Sequence, residues 1–331
     1  MNIVSCGGGH GLFQTLRSLQ CADCDITAIV GVADDGGSSG RIRQELKQVP
    51  PGDLRMAIAA LTPSAPQGEV DWEAALQHRF GGHGALAGHA VGNLLIAGLT
   101  DTLGGLVPAL DAVVELVGAR GRVLPVCTYP LIIEADVAGL EADDPRIVSP
   151  IRGQVAVAST TGSVRRVRLV PPNIPIAEDA RLAIAAADII TLGPGSWFTS
   201  VIPHVLVPGF VEEVNRSQAH KILILNLTAQ PGETTGFSAE RYLHTLIQHA
   251  PDMRIDSVLI DEHAVISERE RSQIQATAAH LGATVEYRDI AEKDEYGVVT
   301  DRHDPHLLGL ALRGMIAQKK GEHLDTYGIQ Q

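Results

Sequence analysis

Positive charge is scarce in this chain: 26 Lys and Arg stand against 39 Asp and Glu among 331 residues, for a formal net charge of −13. A surface that grips a duplex needs a surplus of cations, so the balance argues against nucleic acid as a partner. The basic run Arg165-Arg166-Val167-Arg168 alternates as an exposed strand would and reads as a solvated face. No apolar stretch reaches the length of a membrane span, so no membrane insertion is expected. No basic region precedes Ile3, as it would in a signal peptide, and the chain reads as cytoplasmic. Cysteine is rare too, at four. Cys6 and Cys127 sit in apolar runs and read as small core residues. Cys21 and Cys24 form a lone Cys-x-x-Cys without the second pair a zinc site requires. His83 and His89 lack the i, i+4 spacing of a helical metal pair. Internal repeats and low-complexity segments are missing as well.

What the chain does have is a hydrophobic fraction of 45%, enough for a full-sized core in one large unit over residues 1–331. Apolar strand-like runs alternate with helical patterns, which predicts an α/β fold with a mostly parallel sheet and helices on both faces. Strands are expected at 2–6, 26–32, 122–128, 188–192, 221–227, 257–261 and 284–287. Helices are expected at 11–20, 41–47, 56–61, about 70–80, 91–103, 178–187, 207–216, 239–249, 267–281 and 305–317. Ser238 is the expected N-cap of the helix at 239. Residues 130–175 break the pattern and read as a small β-rich insertion. In it, Val155–Ala158 and Val164–Val170 are expected to form a hairpin across Thr160-Thr161-Gly162-Ser163.

Four loops that follow strands carry ligand-type chemistry. Gly7-Gly8-Gly9-His10-Gly11 offers bare backbone donors, and Asp34-Asp35-Gly36-Gly37-Ser38-Ser39-Gly40 offers two carboxylates and two hydroxyls. Gly193-Pro194-Gly195-Ser196 adds donors at a helix start, and Asn226 to Thr235 adds amides and hydroxyls, Thr228 among them. Glycine lets backbone N–H groups approach an anion, and a helix N-terminus adds partial positive charge. In a parallel sheet all four loops lie on one edge, where open α/β folds bind ligands. Together they point to a phosphate-bearing ligand.

The first loop is not the dinucleotide fingerprint, because its spacing is Gly7-x-Gly9-x-Gly11 rather than Gly-x-Gly-x-x-Gly. A P-loop is excluded because Gly-Lys-Ser/Thr is missing, and no serine stands in a nucleophile elbow. Asp34 and Asp35 have three readings: Mg²⁺ ligands against a diphosphate, ribose ligands, or turn residues bonded to nearby amides. Asp53 and Arg55 read as ligand contacts or as an ion pair that fixes the Pro50-Pro51-Gly52 turn. His10, inside a glycine loop, reads as a ligand contact, and Asn93 as a contact or a helix cap. Trp197 and Phe198 read as packing.

The ordered motifs Gly7–Gly11, Ala33–Arg41, Pro51-Gly52-Asp53-Leu54-Arg55, Gly92-Asn93-Leu94-Leu95, Gly193–Ser196 and Gln230-Pro231-Gly232-Glu233-Thr234 resemble the YvcK gluconeogenesis-factor family. That family is related to CofD, the 2-phospho-L-lactate transferase of coenzyme F420 synthesis. The resemblance covers nearly the whole chain. It implies a Rossmann-like three-layer sandwich, a cytoplasmic homodimer, and a nucleotide sugar such as UDP-N-acetylglucosamine as ligand. The implied role is regulatory support of cell shape and wall synthesis on gluconeogenic carbon sources. The alternative it implies is a Mg²⁺-dependent transferase that moves a phospholactyl-type group from a nucleotide diphosphate to an acceptor. Against that alternative stands an aromatic content of 4%, low for a pocket that must hold a flat deazaflavin. By resemblance, Gly8, Gly9, His10, Gly11, Asp34, Asp35, Gly37, Ser38, Ser39, Asn93, Gly193, Gly195, Ser196, Asn226 and Thr228 hold the nucleotide and its phosphates. Arg302, in Arg302-His303-Asp304, reaches the diphosphate. His204 departs from the family pattern, which has Asn there.

Overall fold

The computed structural model describes residues 1–20, 24–66, 69–141, 144, 146–230, 232–265 and 267–320. The Cys21 half of the Cys-x-x-Cys lies outside them. The strands are β1 (Asn2–Gly7), β2 (Asp25–Val30), β3 (Arg122–Pro125), β4 (Ile132–Ala138), β5 (Val148–Arg152) and β6 (Ser163–Val170). They continue as β7 (Ile189–Leu192), β8 (His220–Ile224), β9 (Ser257–Asp261), β10 (Thr284–Arg288), β11 (Ala291–Lys293) and β12 (Val299–His303). Seven of them form one sheet in the order β10-β9-β8-β7-β1-β2-β3, parallel at every pairing. Helices flank the sheet, as the α/β alternation predicts.

Chain direction explains where the site lies. From β1 the chain steps outward to β2 and β3, then returns to the other side of β1 and steps outward through β7 to β10. The strand order therefore reverses between β1 and β7, and a crevice opens there at the carboxyl ends of the strands. β1 is buried from its second residue onward and β7 along its whole length. This is why both read as unbroken apolar runs rather than as alternation. Cys6 pairs with Ile29 on one side and Leu192 on the other, so three strands end at the same level. Cys6 and Cys127 are fully buried.

Helix α1 (Gly9–Leu19) packs on the sheet through Leu12, Leu16 and Leu19, three or four residues apart. Helix α2 is Gly37–Leu46, α3 is Gly52–Leu61, α4 is Trp72–Gln77 and α5 is Val91–Leu103. Two starts differ from the sequence reading: α2 takes Gly37, Ser38 and Ser39 into its first turn, and α3 takes in Asp53 and Arg55. Helix α6 (Leu106–Val117) has no counterpart in the expected elements. Gly104-Gly105 and Pro108 mask it in the sequence, yet Gly104 is a left-handed cap and Pro108 sits in the tolerated first turn. Ser238 caps Ala239–His249 as expected, its hydroxyl accepting from the Arg241 amide.

The insertion is β-rich but differs in detail. It is a three-stranded antiparallel sheet, β5-β4-β6, and Val155–Ala158 belongs to a short helix, α7 (Gln154–Ala158). The partner of β6 is β4, from Ile132↔Val170 to Ala138↔Ser163. Four small apolar residues fit a strand or a helix turn equally well, and the choice is made by a distant carboxylate described below. On β6, Arg165, Arg166 and Arg168 face solvent as expected, with Arg168 paired to Glu134 and Asp136. The hairpin of β11 and β12 is a further element without a sequence signal. No helix among the described residues is long and apolar enough to cross a membrane.

Candidate functional site

A pocket of about 450 Å³ occupies the crevice between β1 and β7. His10, Gly11 and Gln14 form one wall, Pro194 and Gly195 a second, and Asn226 to Gln230 a third. Asp301, Arg302 and His303, at the end of β12, close it. Local backbone geometry brings these walls together. A Cβ at position 11 would overlap the Pro194 carbonyl, so only glycine lets α1 start this close to the 193–196 loop. Asn226 clamps that loop from β8: Oδ1 accepts from the Gly195 amide at 2.9 Å and Nδ2 donates to the Gly195 carbonyl at 2.8 Å. Thr228 is held by its carbonyl, which accepts from the Tyr242 hydroxyl at 3.3 Å. Arg302 is exposed at the rim, whereas His303 is buried. Burial pulls the His303 imidazole down to about 4, against a hydrogen bond to the Leu225 backbone and the charge of Asp261. It is a neutral ring whose Nε2 has no hydrogen-bond partner among the described residues.

The segment after Gly195 holds its own anion. Glu233 is 4% exposed, and its Oε1 accepts from the Phe198 amide at 2.6 Å. The Ser196 hydroxyl and the amide and hydroxyl of Thr199 also donate to this carboxylate. Burial pushes the Glu233 carboxyl upward, and these donors hold it down in part. Ser196, expected to face a phosphate, is thus committed to Glu233. Trp197 and Phe198 are buried packing residues, with the Trp197 ring against Tyr242 at 4.9 Å.

A second polar centre lies across Gly8 and Gly9, on the β2 side of the same loop. Asp34 Oδ1 accepts from the Gly36 amide at 2.9 Å. A Cβ at Gly52 would strike Asp34 Oδ2 and Ser39 Oγ, so the start of α3 rests directly on that carboxylate. Asp53 faces it from α3. Its Oδ2 would stand 2.6 Å from a Cβ at Gly8, and it accepts from the Gly9 backbone. Burial first, and then the charge of Asp34, push the Asp53 carboxyl up to about 7, with the Gly9 amide and Arg55 opposing. Beneath this pair is a buried frame. Ser38 Oγ meets His89 Nδ1 at 2.9 Å and accepts from Asn93 Nδ2 at 3.0 Å. Asn93 also donates to Ser39 Oγ at 3.4 Å.

Asp35 does not join Asp34. Its two oxygens accept from the amides of Gln154 at 3.0 Å and Val155 at 2.9 Å, which caps α7 and ties down the insertion. Asp34 and Asp53, two half-buried carboxylates that face one another, supply the hard oxygen donors that suit Mg²⁺. Asp35, with both oxygens spent on backbone, does not fit that role.

The expected site residues therefore separate. His10, Gly11, Gly195, Asn226, Thr228 and Arg302 line the pocket. Gly8, Gly9, Asp34, Ser38, Ser39 and Asn93 belong to the second centre. Gly193 holds a φ of +74° at the end of β7, and Gly37 a φ of +43° at the start of α2. His204 lies outside both centres, fully buried, with its two ring nitrogens on the carbonyls of Ser200 and Ile29. Sequence reasoning missed Gln14, Asp301 and His303 in the pocket, and reached Gln230 and Glu233 only as members of the loop Asn226 to Thr235 and of a family-like motif. Of the three missed residues, His303 carried a signal, as the neighbour of Arg302 in the family-like triplet.

Comparison with known proteins places this geometry. Residues 3–301 match the family model described as 2-phospho-L-lactate transferase CofD. A protein of Mycobacterium tuberculosis (strain ATCC 25618 / H37Rv) named "Putative gluconeogenesis factor" is 54% identical over 319 residues, which cover 96% of this chain and 91% of that protein. The protein named "Gluconeogenesis factor" of Bacillus subtilis (strain 168) is 38% identical over 280 residues, 85% of this chain and 84% of that one. A crystal structure of a UPF0052-family member from Bacillus halodurans superposes with a TM-score of 0.80 at 33% identity. It covers 94% of this chain and 99% of that chain.

Proposed function

The chain belongs to the CofD family, alongside the proteins named gluconeogenesis factors, and from that premise we propose that it is a regulatory protein that binds a nucleotide sugar. UDP-N-acetylglucosamine is the ligand class we assign. The observation that carries this reading is the pocket at the strand-order reversal. It is walled by two glycine loops and closed by Arg302, with His10 at the mouth of the first loop. Backbone amides and one guanidinium suit a diphosphate. The polar amides of Gln14 and Gln230 suit the rest of a hydrophilic ligand. On this reading the protein acts by binding, and its role is support of growth and wall synthesis on gluconeogenic carbon. Calorimetry with UDP-N-acetylglucosamine is expected to show saturable binding, together with a ligand-dependent rise in Tm. No heat with any UDP-sugar at millimolar ligand would sink the proposal.

The second reading is a CofD-like transferase, and Asp34 with Asp53 is the observation in its favour. Held there, Mg²⁺ would neutralise charge on a diphosphate. This chain's residues would grip the diphosphate through the Gly8–Gly11 amides and Arg302. Against it, no Phe, Tyr or Trp among the described residues lines the pocket where a flat acceptor would lie. Incubation with a nucleotide-activated lactate, a deazaflavin acceptor and Mg²⁺ decides between the readings. Product that disappears in Asp34→Asn supports the transferase, and no product supports the binder.

A further inference from the structure

Arg55 lies in the second centre, near the start of α3, and is 4% exposed. Arginine is almost never buried without a partner, because a desolvated guanidinium needs an opposite charge and acceptors for its donors. Arg55 has carboxylates in its surroundings but is paired with none of them. None of the ion pairs among the described residues includes it, and its Nε and Nη1 have no hydrogen-bond partner. Asp53 and Asp34 are close enough to act on it through charge, but so is Arg79, which opposes them. Asn93, 1% exposed, likewise leaves Oδ1 unpartnered in the same frame. The stem is wedged in place, since a Cβ at Gly92 would stand 2.8 Å from Arg55 Cγ. A buried cation with two unpartnered nitrogens thus stands beside Asp53, whose own carboxylate touches the Gly8–Gly9 loop.

We propose that Arg55 is a ligand-binding residue whose guanidinium receives an anionic oxygen, of a phosphate or a carboxylate, that enters past Gly8 and Gly9. This deepens the nucleotide-diphosphate reading and rests on it. The pocket between β1 and β7 takes the nucleotide, and the ligand's anionic end crosses the glycine loop to Arg55. Asp34 and Asp53 flank the path and would repel the incoming group by themselves. Arg55 supplies the opposite charge from this chain, and its planar donors accept a phosphate or carboxylate better than an ammonium would.

The test is a binding ladder of uridine, UMP and UDP, with inorganic phosphate and lactate as separate probes, at fixed Mg²⁺. It compares the wild type with Arg55→Met and Arg55→Lys. The expected result is unchanged uridine affinity, with the advantage of UDP over uridine shrinking about 10- to 100-fold in Arg55→Met, the scale of one hydrogen bond to a charged group. Arg55→Lys keeps part of it. If the oxygen is a carboxylate, the ladder survives, and lactate binding to the UDP-saturated protein is lost in Arg55→Met instead. A ladder and lactate binding both at wild-type strength would overturn the proposal. Should the variants fail to fold, the Arg55 Nε–H resonance of ¹⁵N-labelled wild type reads the same point. A shift with UDP, phosphate or lactate supports it, and no shift with any of them overturns it. The phosphate and lactate arms still report on Arg55 if UDP itself does not bind, so the two proposals fail separately.

Discussion

The carboxylate of Glu233 accepts the backbone amide of Phe198 at 2.6 Å, across a separation of 35 residues. The helical segment after Gly193–Ser196 is where a phosphate would be expected, and the chain has put its own anion there. Loop Thr228–Phe237 is thereby tied to the loop that walls the pocket. Removing the carboxylate leaves buried donors at Phe198 and Thr199. Glu233→Ala is expected to cost about 1–3 kcal/mol in urea denaturation, and Glu233→Gln, which keeps one acceptor, clearly less. Nucleotide affinity should fall with both, because the position of Gly195 then loosens. Equal stability of all three proteins would remove this role.

Two glycines of the first loop separate steric need from backbone need. At Gly11 a Cβ would collide with the Pro194 carbonyl, which cannot move without shifting the whole 193–196 loop. Gly11→Ala is expected to destabilise by about 1–3 kcal/mol or more and to abolish binding. Gly9 has a φ of +56° with no atom within 4 Å of where a Cβ would stand, so Gly9→Ala meets only left-handed strain, about 1–2 kcal/mol. Thermal unfolding of the pair checks the order of the two effects.

Asp34 and Asp35 are neighbours in sequence with different jobs. Asp35→Ala is expected to cost about 1–2 kcal/mol by uncapping α7 and to raise hydrogen exchange at Gln154 and Val155. Any effect of Mg²⁺ on nucleotide binding should persist. Asp34→Asn should remove that effect. Isothermal titration with and without Mg²⁺ distinguishes the two, and loss of the Mg²⁺ effect in Asp35→Ala alone would contradict the assignment.

His303 sets a pH dependence whose sign follows from its burial. Its folded value of about 4 lies below the ordinary 6.5, so between these the unfolded chain binds more protons. Stability from this group is complete above pH 6.5 and is lost as pH falls toward 4, by roughly 3 kcal/mol at most. His303→Gln should flatten that part of the stability profile. An unchanged slope between pH 6.5 and 4 in the variant would show that His303 is not its source.

Much of the fold was legible because it rests on local patterns. Unbroken apolar runs at β1, β7 and β9 mark strands covered on both faces. Leucines three or four apart mark α1, and Ser238 marks a helix start. Failures occurred where a local pattern was ambiguous and a distant group decided. Val155–Ala158 became helical because Asp35 caps the Val155 amide from 120 residues away. Helix α6 was hidden by Gly104-Gly105 and Pro108, residues that end and begin helices as readily as they break them. The β11–β12 hairpin, polar and exposed at most positions, has neither a buried face nor a strong turn signal.

By itself, the amino-acid order determined the parallel α/β sheet and the glycine loops at its strand ends. Both depend on side-chain period and on the bare backbone of glycine. The tertiary structure alone decided what those loops face. Asp53, not Asp35, meets Asp34, and Glu233 takes the helix start beside Ser196. Arg55 is buried with two guanidinium nitrogens unbonded, and Arg302 and His303 return from the far end of the chain to close the pocket. Charge and hydrogen-bond partners act through space over a few ångströms, and only folding brings such distant residues within that range.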